Sequence, residues 1–237
     1  MRRRFSISLA AGLVCALACA FACAFAAAKA APSAPPDGYQ INSDFTETSP
    51  DGATTIEQYF KDDPDKGYSW QFWVRRGGTM SLLDSQEDYP AGFRFTNDAQ
   101  WLVRTQKTGA GYADLYLYKL GPSGFARATK KPLSDLAWAY FYSRPESHAH
   151  PKPNLHISAG LVKGVPDNYK SLGENWPANR YLVIGLSGEL DPTAHHGQTL
   201  EVTDWRVRYD LQTGKFDVPP DFAADNKKAL IPRDLSQ

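Results

Sequence analysis

The chain has 237 residues, with 26 Lys and Arg against 26 Asp and Glu, and so no formal net charge. Its first thirty residues hold four bases (Arg2, Arg3, Arg4 and Lys29) and no acid, which leaves 22 bases against 26 acids and a formal charge of −4 in the remainder. A nucleic-acid binder draws most of its affinity from neutralising phosphates, so this acidic balance argues against nucleic acid as a partner. The remainder, about 207 residues, is enough for one domain with a real core.

Met1 to Arg4 are positive and Ile7 to Phe25 are apolar, and small residues follow at Ala26, Ala27, Ala28, Ala30 and Ala31. This is the three-part pattern of a secretory signal peptide over residues 1–30. It implies export to the periplasm or beyond, with no membrane span after processing. The apolar stretch is borderline in length for spanning, and a retained anchor is the alternative. Cys15, Cys19 and Cys23 all lie inside this leader. A processed chain therefore has no disulfide, no thiolate nucleophile and no cysteine metal ligand. Ala18-Cys19 and Ala22-Cys23 also allow a lipoprotein reading, although both lack the usual upstream Leu.

Residues 31–38 (APSAPPDG) are Pro- and Ala-rich and read as an exposed linker. From Tyr39 onward, short β patterns alternate with turn residues. Ser49-Pro50-Asp51-Gly52 is a turn before a strand at Thr54 to Phe60, and Asp62 to Gly67 is the next turn. Tyr68, Trp70, Phe72 and Val74 alternate with Ser69, Gln71, Trp73 and Arg75, the period of a half-buried strand. Met80 to Leu83, Phe93 to Phe95, Trp101 to Val103 and Leu115 to Tyr118 are further strands. Ser134 is placed to cap a helix with Leu136, Ala137, Tyr140 and Phe141 on its apolar face. The alternative is a strand showing Trp138, Tyr140 and Tyr142.

Prolines 145, 151 and 153 then separate two β-rich halves, residues 39–131 and 154–219, of a single domain spanning 39–237. Tyr181 to Leu186 is apolar at nearly every position, as a strand covered on both faces would be. Thr203, Trp205, Val207, Tyr209 and Leu211 form the inward face of an amphipathic strand. Asp221 to Leu230, after two prolines, reads as a short terminal helix. The fold class is mainly β and antiparallel, with one or two short helices.

The run Phe93-Arg94-Phe95-Thr96-Asn97-Asp98-Ala99-Gln100-Trp101-Leu102-Val103, followed by Asp114 to Leu120, resembles the blade motif of WD40-like (TolB-type) β-propellers. Ser49 to Gly52 has the motif's turn, and Trp205 to Lys215 resembles a strand and hairpin of another blade. In Asp98-Ala99, alanine stands where the motif has glycine. The resemblance implies blade-like sheets. Propellers need about four blades or more to close, and two or three are traceable here. An incomplete propeller or a sandwich-like pair of sheets is therefore expected. The motif residues shape turns and core and imply no catalytic role. The chain as a whole is similar to secreted bacterial proteins of uncharacterised function.

The five histidines, His148, His150, His156, His195 and His196, all fall in the second half of the chain. If the loops holding them meet, three or four imidazoles would suit zinc or copper and support a hydrolytic site. The bland reading is solvated loop histidines and no cofactor. Asp62, Asp63 and Asp65 lack the terminal acidic ligand of a calcium loop and read as a polar hairpin. Trp73, on the polar face of its strand, is a candidate for stacking on a glycan or partner peptide. Arg206 and Arg208 are candidates for a cationic patch. No nucleophile elbow, zinc-protease helix or phosphate loop is present. These features lead to an expectation of an exported, non-catalytic binding module of the bacterial envelope, its partner an envelope protein recruited by strand addition. The alternatives are the metal site and a carbohydrate-binding module.

Overall fold

Two short polar sequences, SPDGAT and TNDAQW, fold into the same turn, and each joins the first two strands of an antiparallel meander. A computed structural model describes residues 33–148, 155–162, 179–189 and 198–234. The first meander is β1 (Gln40–Thr48), β2 (Thr54–Asp63), β3 (Gly67–Arg76) and β4 (Thr79–Glu87), hydrogen-bonded in that order as a four-stranded sheet. The second is β5 (Ala91–Phe95), β6 (Trp101–Gly109), β7 (Tyr112–Gly121) and β8 (Gly124–Arg127).

In the first turn the Ser49 hydroxyl donates to Asp51 Oδ1 at 2.6 Å and accepts from Thr54 N–H at 2.9 Å, while Ala53 N–H donates to the same carboxylate oxygen at 3.1 Å. Thr96, Asp98, Gln100 and Trp101 repeat these bonds at 2.6, 3.1 and 3.1 Å. Each turn needs one residue in the left-handed region. Gly52 takes it at φ 68°, and Ala99 takes it at φ 55° despite its methyl group. The carboxylate therefore offsets backbone strain in the second turn.

After β8 the chain forms α1 (Leu133–Tyr142) and a single turn, α2 (Pro145–His148). Then come β9 (Leu155–Leu161), β10 (Tyr181–Glu189), β11 (Gln198–Asp210), β12 (Lys215–Asp217), α3 (Pro220–Lys228) and β13 (Leu230–Asp234). These later strands extend the second meander into a nine-stranded sheet of order β12-β11-β10-β9-β7-β6-β5, with β13 beside β11 and β8 beside β7. The β7–β9 pair is parallel, with Ala113 opposite Ser158, and the other strand pairs among the described residues are antiparallel. The fold is mainly β, and residues 31–237 form one compact unit.

Three apolar layers hold it together. Ile56, Trp70, Phe72 and Val74 of the first sheet pack against Ala91, Phe93, Phe95, Leu102 and Tyr118 of the second. On the opposite face of the large sheet, α1 packs Leu133, Ala137, Trp138 and Phe141 on Leu115, Leu117, Leu182, Ile184, Leu186, Trp205 and Val207. Phe222 of α3 covers Val183, so β10 is sandwiched between helices, as its uniformly apolar sequence requires.

Two local expectations are corrected. Helix α1 begins at Leu133, with Pro132 as its N-cap and no side-chain cap, and Ser134 is a buried helical residue whose hydroxyl donates to Asp114 Oδ1 at 2.8 Å. Its buried face is Leu133, Ala137, Trp138 and Phe141, whereas Leu136 and Tyr140 are only partly buried. In β11, Thr203 is exposed and Val202 is buried. A bulge sets Thr203 and Asp204 opposite Ser187 alone, with Asp204 at φ 52°, and so shifts the inward set by one residue.

Gln58, 1% exposed, links the two sheets. Its amide nitrogen donates to Ala91 O at 2.7 Å and to Phe45 O at 2.9 Å, and its Oε1 accepts from Ala91 N–H at 3.0 Å. Replacing Gln58 with Leu leaves two backbone carbonyls and an N–H buried without partners, at about 1–3 kcal/mol each. Gln58→Leu is expected to lower unfolding free energy by about 3 kcal/mol or more in urea titration, an effect that Tyr68→Leu at an exposed position would not produce. Asp98→Ala removes the carboxylate acceptor that offsets strain at Ala99, and should cost about 1–2 kcal/mol in the same measurement.

Candidate binding cleft

Between β1, β5, β6, β7 and β9 lies a cleft of about 710 Å³, within the range of ligand pockets. Its position follows from an irregularity in the first sheet. Asn42 pairs with Gln58 and Glu47 with Ile56, so Ser43 to Thr46 bulge out opposite Glu57 alone. The bulge carries Asp44 and Phe45 over the free edge of β5. On the far side, β7 and β9 pair in parallel, with Ala113 opposite Ser158, and both of these residues line the cleft. Glycines 92, 109, 111 and 160 line the cleft without side chains of their own, and the Tyr112 ring lies where a Gly109 side chain would project. A Cβ added at Gly160 would meet nothing within 4 Å.

The banks carry opposite charges: Asp44 and Glu47 on β1, Arg94 on β5 and Lys107 on β6. Arg94 Nη1 is 4.0 Å from Glu47 Oε1, with both side chains well exposed. Lys107 Nζ lies 5.0 Å from the centre of the Tyr89 ring. Phe45, 43% exposed, sets its ring edge-on to Trp70 at 6.0 Å. The cleft thus combines an apolar corner, polar hydroxyls from Thr46, Thr105 and Ser158, and both signs of charge.

A second polar cluster sits between the sheets. Arg104 is 0% exposed. Its Nη2 donates to Glu87 at 3.0 Å and lies 3.6 Å from Asp84 Oδ2. The guanidinium also lies 5.0 Å from the Phe72 ring centre and 4.2 Å from that of Tyr116. Its Nε and Nη1 have no hydrogen-bond acceptor, and these ring faces supply the remaining stabilisation of a desolvated cation. Asp84 Oδ2 accepts from Tyr118 at 2.7 Å and from Arg127 Nε at 3.1 Å. Burial pushes the Asp84 pKa up, but the hydrogen bonds from Tyr118 and Arg127 and the charge of Arg104 outweigh it, holding the carboxyl below its ordinary range. Burial raises the Tyr118 hydroxyl pKa, with Asp84 adding to the shift. With two acids and two arginines, the cluster is neutral overall and acts as a clasp between β4 and strands β6, β7 and β8.

The residues singled out from sequence fare differently. Trp73 is fully buried, as are its neighbours on both sides, so β3 is covered on both faces. Its indole N–H donates to Gln71 Oε1 at 3.0 Å, and the ring is not available for stacking on a ligand. Alternation showed which face it occupies but not that this face is covered. Arg206 is held by Asp204 through Nε at 3.0 Å and Nη2 at 2.7 Å, and Arg208 by Asp217 through Nε at 2.8 Å. Arg208 also lies 4.4 Å from the Tyr181 ring centre. Both are compensated cations rather than an open patch.

His150, His195 and His196 lie outside the described residues. His148 ends α2 and His156 stands two residues before Ser158 on β9, and their side chains also fall outside the described set. Among the described residues no group of three or more His, Cys, Asp or Glu is placed to hold a metal. Among them, too, no helix is long and apolar enough to cross a membrane. The cleft itself was not read from sequence, because a bulge and the pairing of strands distant in sequence leave no local pattern.

No family model matches the chain, and no curated protein is similar to it. Among solved structures the chain is similar to a puromycin-hydrolyzing peptidase of Mycobacterium tuberculosis, with a TM-score of 0.36 and 12% identity over 79% of this chain and 32% of that one. The chain thus spans about a third of that protein's length, and a likeness this distant carries no functional argument.

The electrostatics predict acid sensitivity. Glu57 is also held below its ordinary value, first by the hydrogen bond from Arg75. Groups with a lowered native pKa contribute stability above their unfolded pKa and lose it as pH falls through the native one. From unfolded values of 3.8 for Asp84 and 4.5 for Glu57, unfolding free energy should decline as pH drops below about 5. Asp84→Asn should cost about 3–5 kcal/mol at pH 7 by leaving Arg104 and Arg127 undercompensated, and should flatten the acid limb. Denaturant titrations from pH 7 to 3 read both effects.

Proposed function

We propose that the protein is an exported, non-catalytic binding module of the bacterial envelope that recognises a protein partner in the cleft between β1 and β5. The observation that carries this reading is the cleft: about 710 Å³, glycine-lined, and edged by Asp44 and Glu47 on one bank and Arg94 and Lys107 on the other. Opposed charges on a shaped concave surface orient and select a partner more than they hold it. The leader at residues 1–30 supports export, and the acidic balance beyond it fits a protein partner better than a polyanion. The paired turns at Ser49 and Thr96 support reading the two meanders as propeller-type blades.

Gly160→Phe provides the test, because it places a ring in the open space of the cleft. The variant is expected to keep the wild-type melting midpoint within about 2 °C, a shift of less than 1 kcal/mol at this size. It should also abolish cross-linking to the envelope partner that the wild-type protein captures. Equal capture by both proteins would rule the cleft out. The competing metal site makes the opposite forecast in a melt with zinc or copper. A resident ion at a hundred times its dissociation constant would raise the midpoint by about 5–10 °C, whereas the binding module should be indifferent to both ions and to chelator.

A further inference from the structure

We infer that the partner enters the cleft as an extended polypeptide segment and adds to the outer edge of β5, continuing a ladder whose first rung Gln58 already occupies. This rests on the cleft being the recognition site, and goes further by naming the edge and the chemistry it reads.

In an antiparallel ladder, alternate residues turn their N–H and C=O toward the neighbouring strand and away from it. Ala91 turns its pair away from β6, where the Gln58 carboxamide meets both groups, accepting from N–H at 3.0 Å and donating to C=O at 2.7 Å. A carboxamide offers the same donor and acceptor as a peptide unit, so this edge already pairs with a peptide-like group. Phe93 lies two residues on, and its N–H and C=O point the same way. Its side chain is packed between the sheets against Phe72, with ring centres 5.3 Å apart, yet Phe93 lines the cleft. It therefore meets the cleft through its main chain.

An added strand would place alternate side chains over the glycine-lined floor. Gly92, Gly109 and Gly160 present no side chains there, while Arg94 and Lys107 face Asp44 and Glu47 across it. The Arg94–Glu47 pair at 4.0 Å is the one ion pair across the mouth among the described residues. An exposed pair of that length holds little energy, so an incoming segment separates it easily. A glycan or simple anion has no regularly spaced donor and acceptor pairs to match this edge. A peptide main chain does, and partner charges of both signs fit the two banks.

The chain without residues 1–30 is panned against a library of random dodecapeptides, and the best binder is resynthesised with a single backbone N-methyl group at each position in turn. Strand addition predicts at least a tenfold loss of affinity at every second position and little change between them. It also predicts slowed hydrogen exchange at the Phe93 amide when the peptide is bound. Peptides that bind without this alternation, or without protecting Phe93, would overturn the inference. So would a library that yields no binder. In that case the arms separate: a glycan that binds wild type and not Gly160→Phe leaves the cleft reading standing, and the absence of any such ligand removes both.

Discussion

A buried carboxamide sets the geometry of this protein. The four-stranded meander carries an apolar inner face that must be covered. That cover is the β5–β6–β7 face of the larger sheet, but apolar packing is non-directional and does not define where one sheet sits on the other. Gln58 does so, by reading the backbone of Ala91 as a neighbouring strand would while gripping the carbonyl of Phe45. The bulge in β1, the free edge of β5 and the cleft between them all follow from that clamp. The same device recurs in the C-terminal half, where the Asn226 amide donates to Arg206 O at 2.8 Å and accepts from Arg206 N–H at 2.8 Å, docking α3 on β11.

The Arg104 cluster complements the clamp from β4. Desolvating a guanidinium is costly, and replacing such a cluster with apolar side chains often does not reduce stability. Its presence is better understood as directional: Asp84 and Glu87 on β4 accept from arginines on β6 and β8 and from a tyrosine on β7. The interface is thus registered by polar contacts and stabilised by apolar ones. The cleft beside β5 is lined mostly by strand residues of both sheets.

The repeated turn links sequence to architecture most directly. A hydroxyl residue, an aspartate two positions on and a left-handed residue after it produced the same hydrogen bonds in SPDGAT and TNDAQW, and each joins the first two strands of a four-stranded meander. That information is local, so it was legible in the chain. The double-sided burial of β10 was legible for the same reason, since a strand between two helices has no position for a polar side chain. Period-two alternation predicts an exposed Trp73 and an inward-facing Thr203, because it assumes one wet face and an unbroken register. Coverage of the second face of β3 and the bulge at Asp204 each violate one of those assumptions.

The chain by itself determined the mainly β class, the strand-turn rhythm, the short terminal helix introduced by prolines 219 and 220, and the acidic balance beyond residue 30, whereas its pattern from Ser134 to Tyr142 admits helix or strand. Each depends on residue type and on spacing within about ten positions, where backbone preference and hydrophobic period act. Only the tertiary structure decided the cleft, the clasp around Arg104, and the pairing of Arg206 and Arg208 with Asp204 and Asp217. Asp204 and Asp217 are near in sequence to the arginines they bind, but a bulge and a hairpin decide that they meet. The cleft joins residues from Asp44 to Leu161, and no local rule of chain geometry brings those together. What does so is the burial of two apolar faces and the buried amide that sets their register.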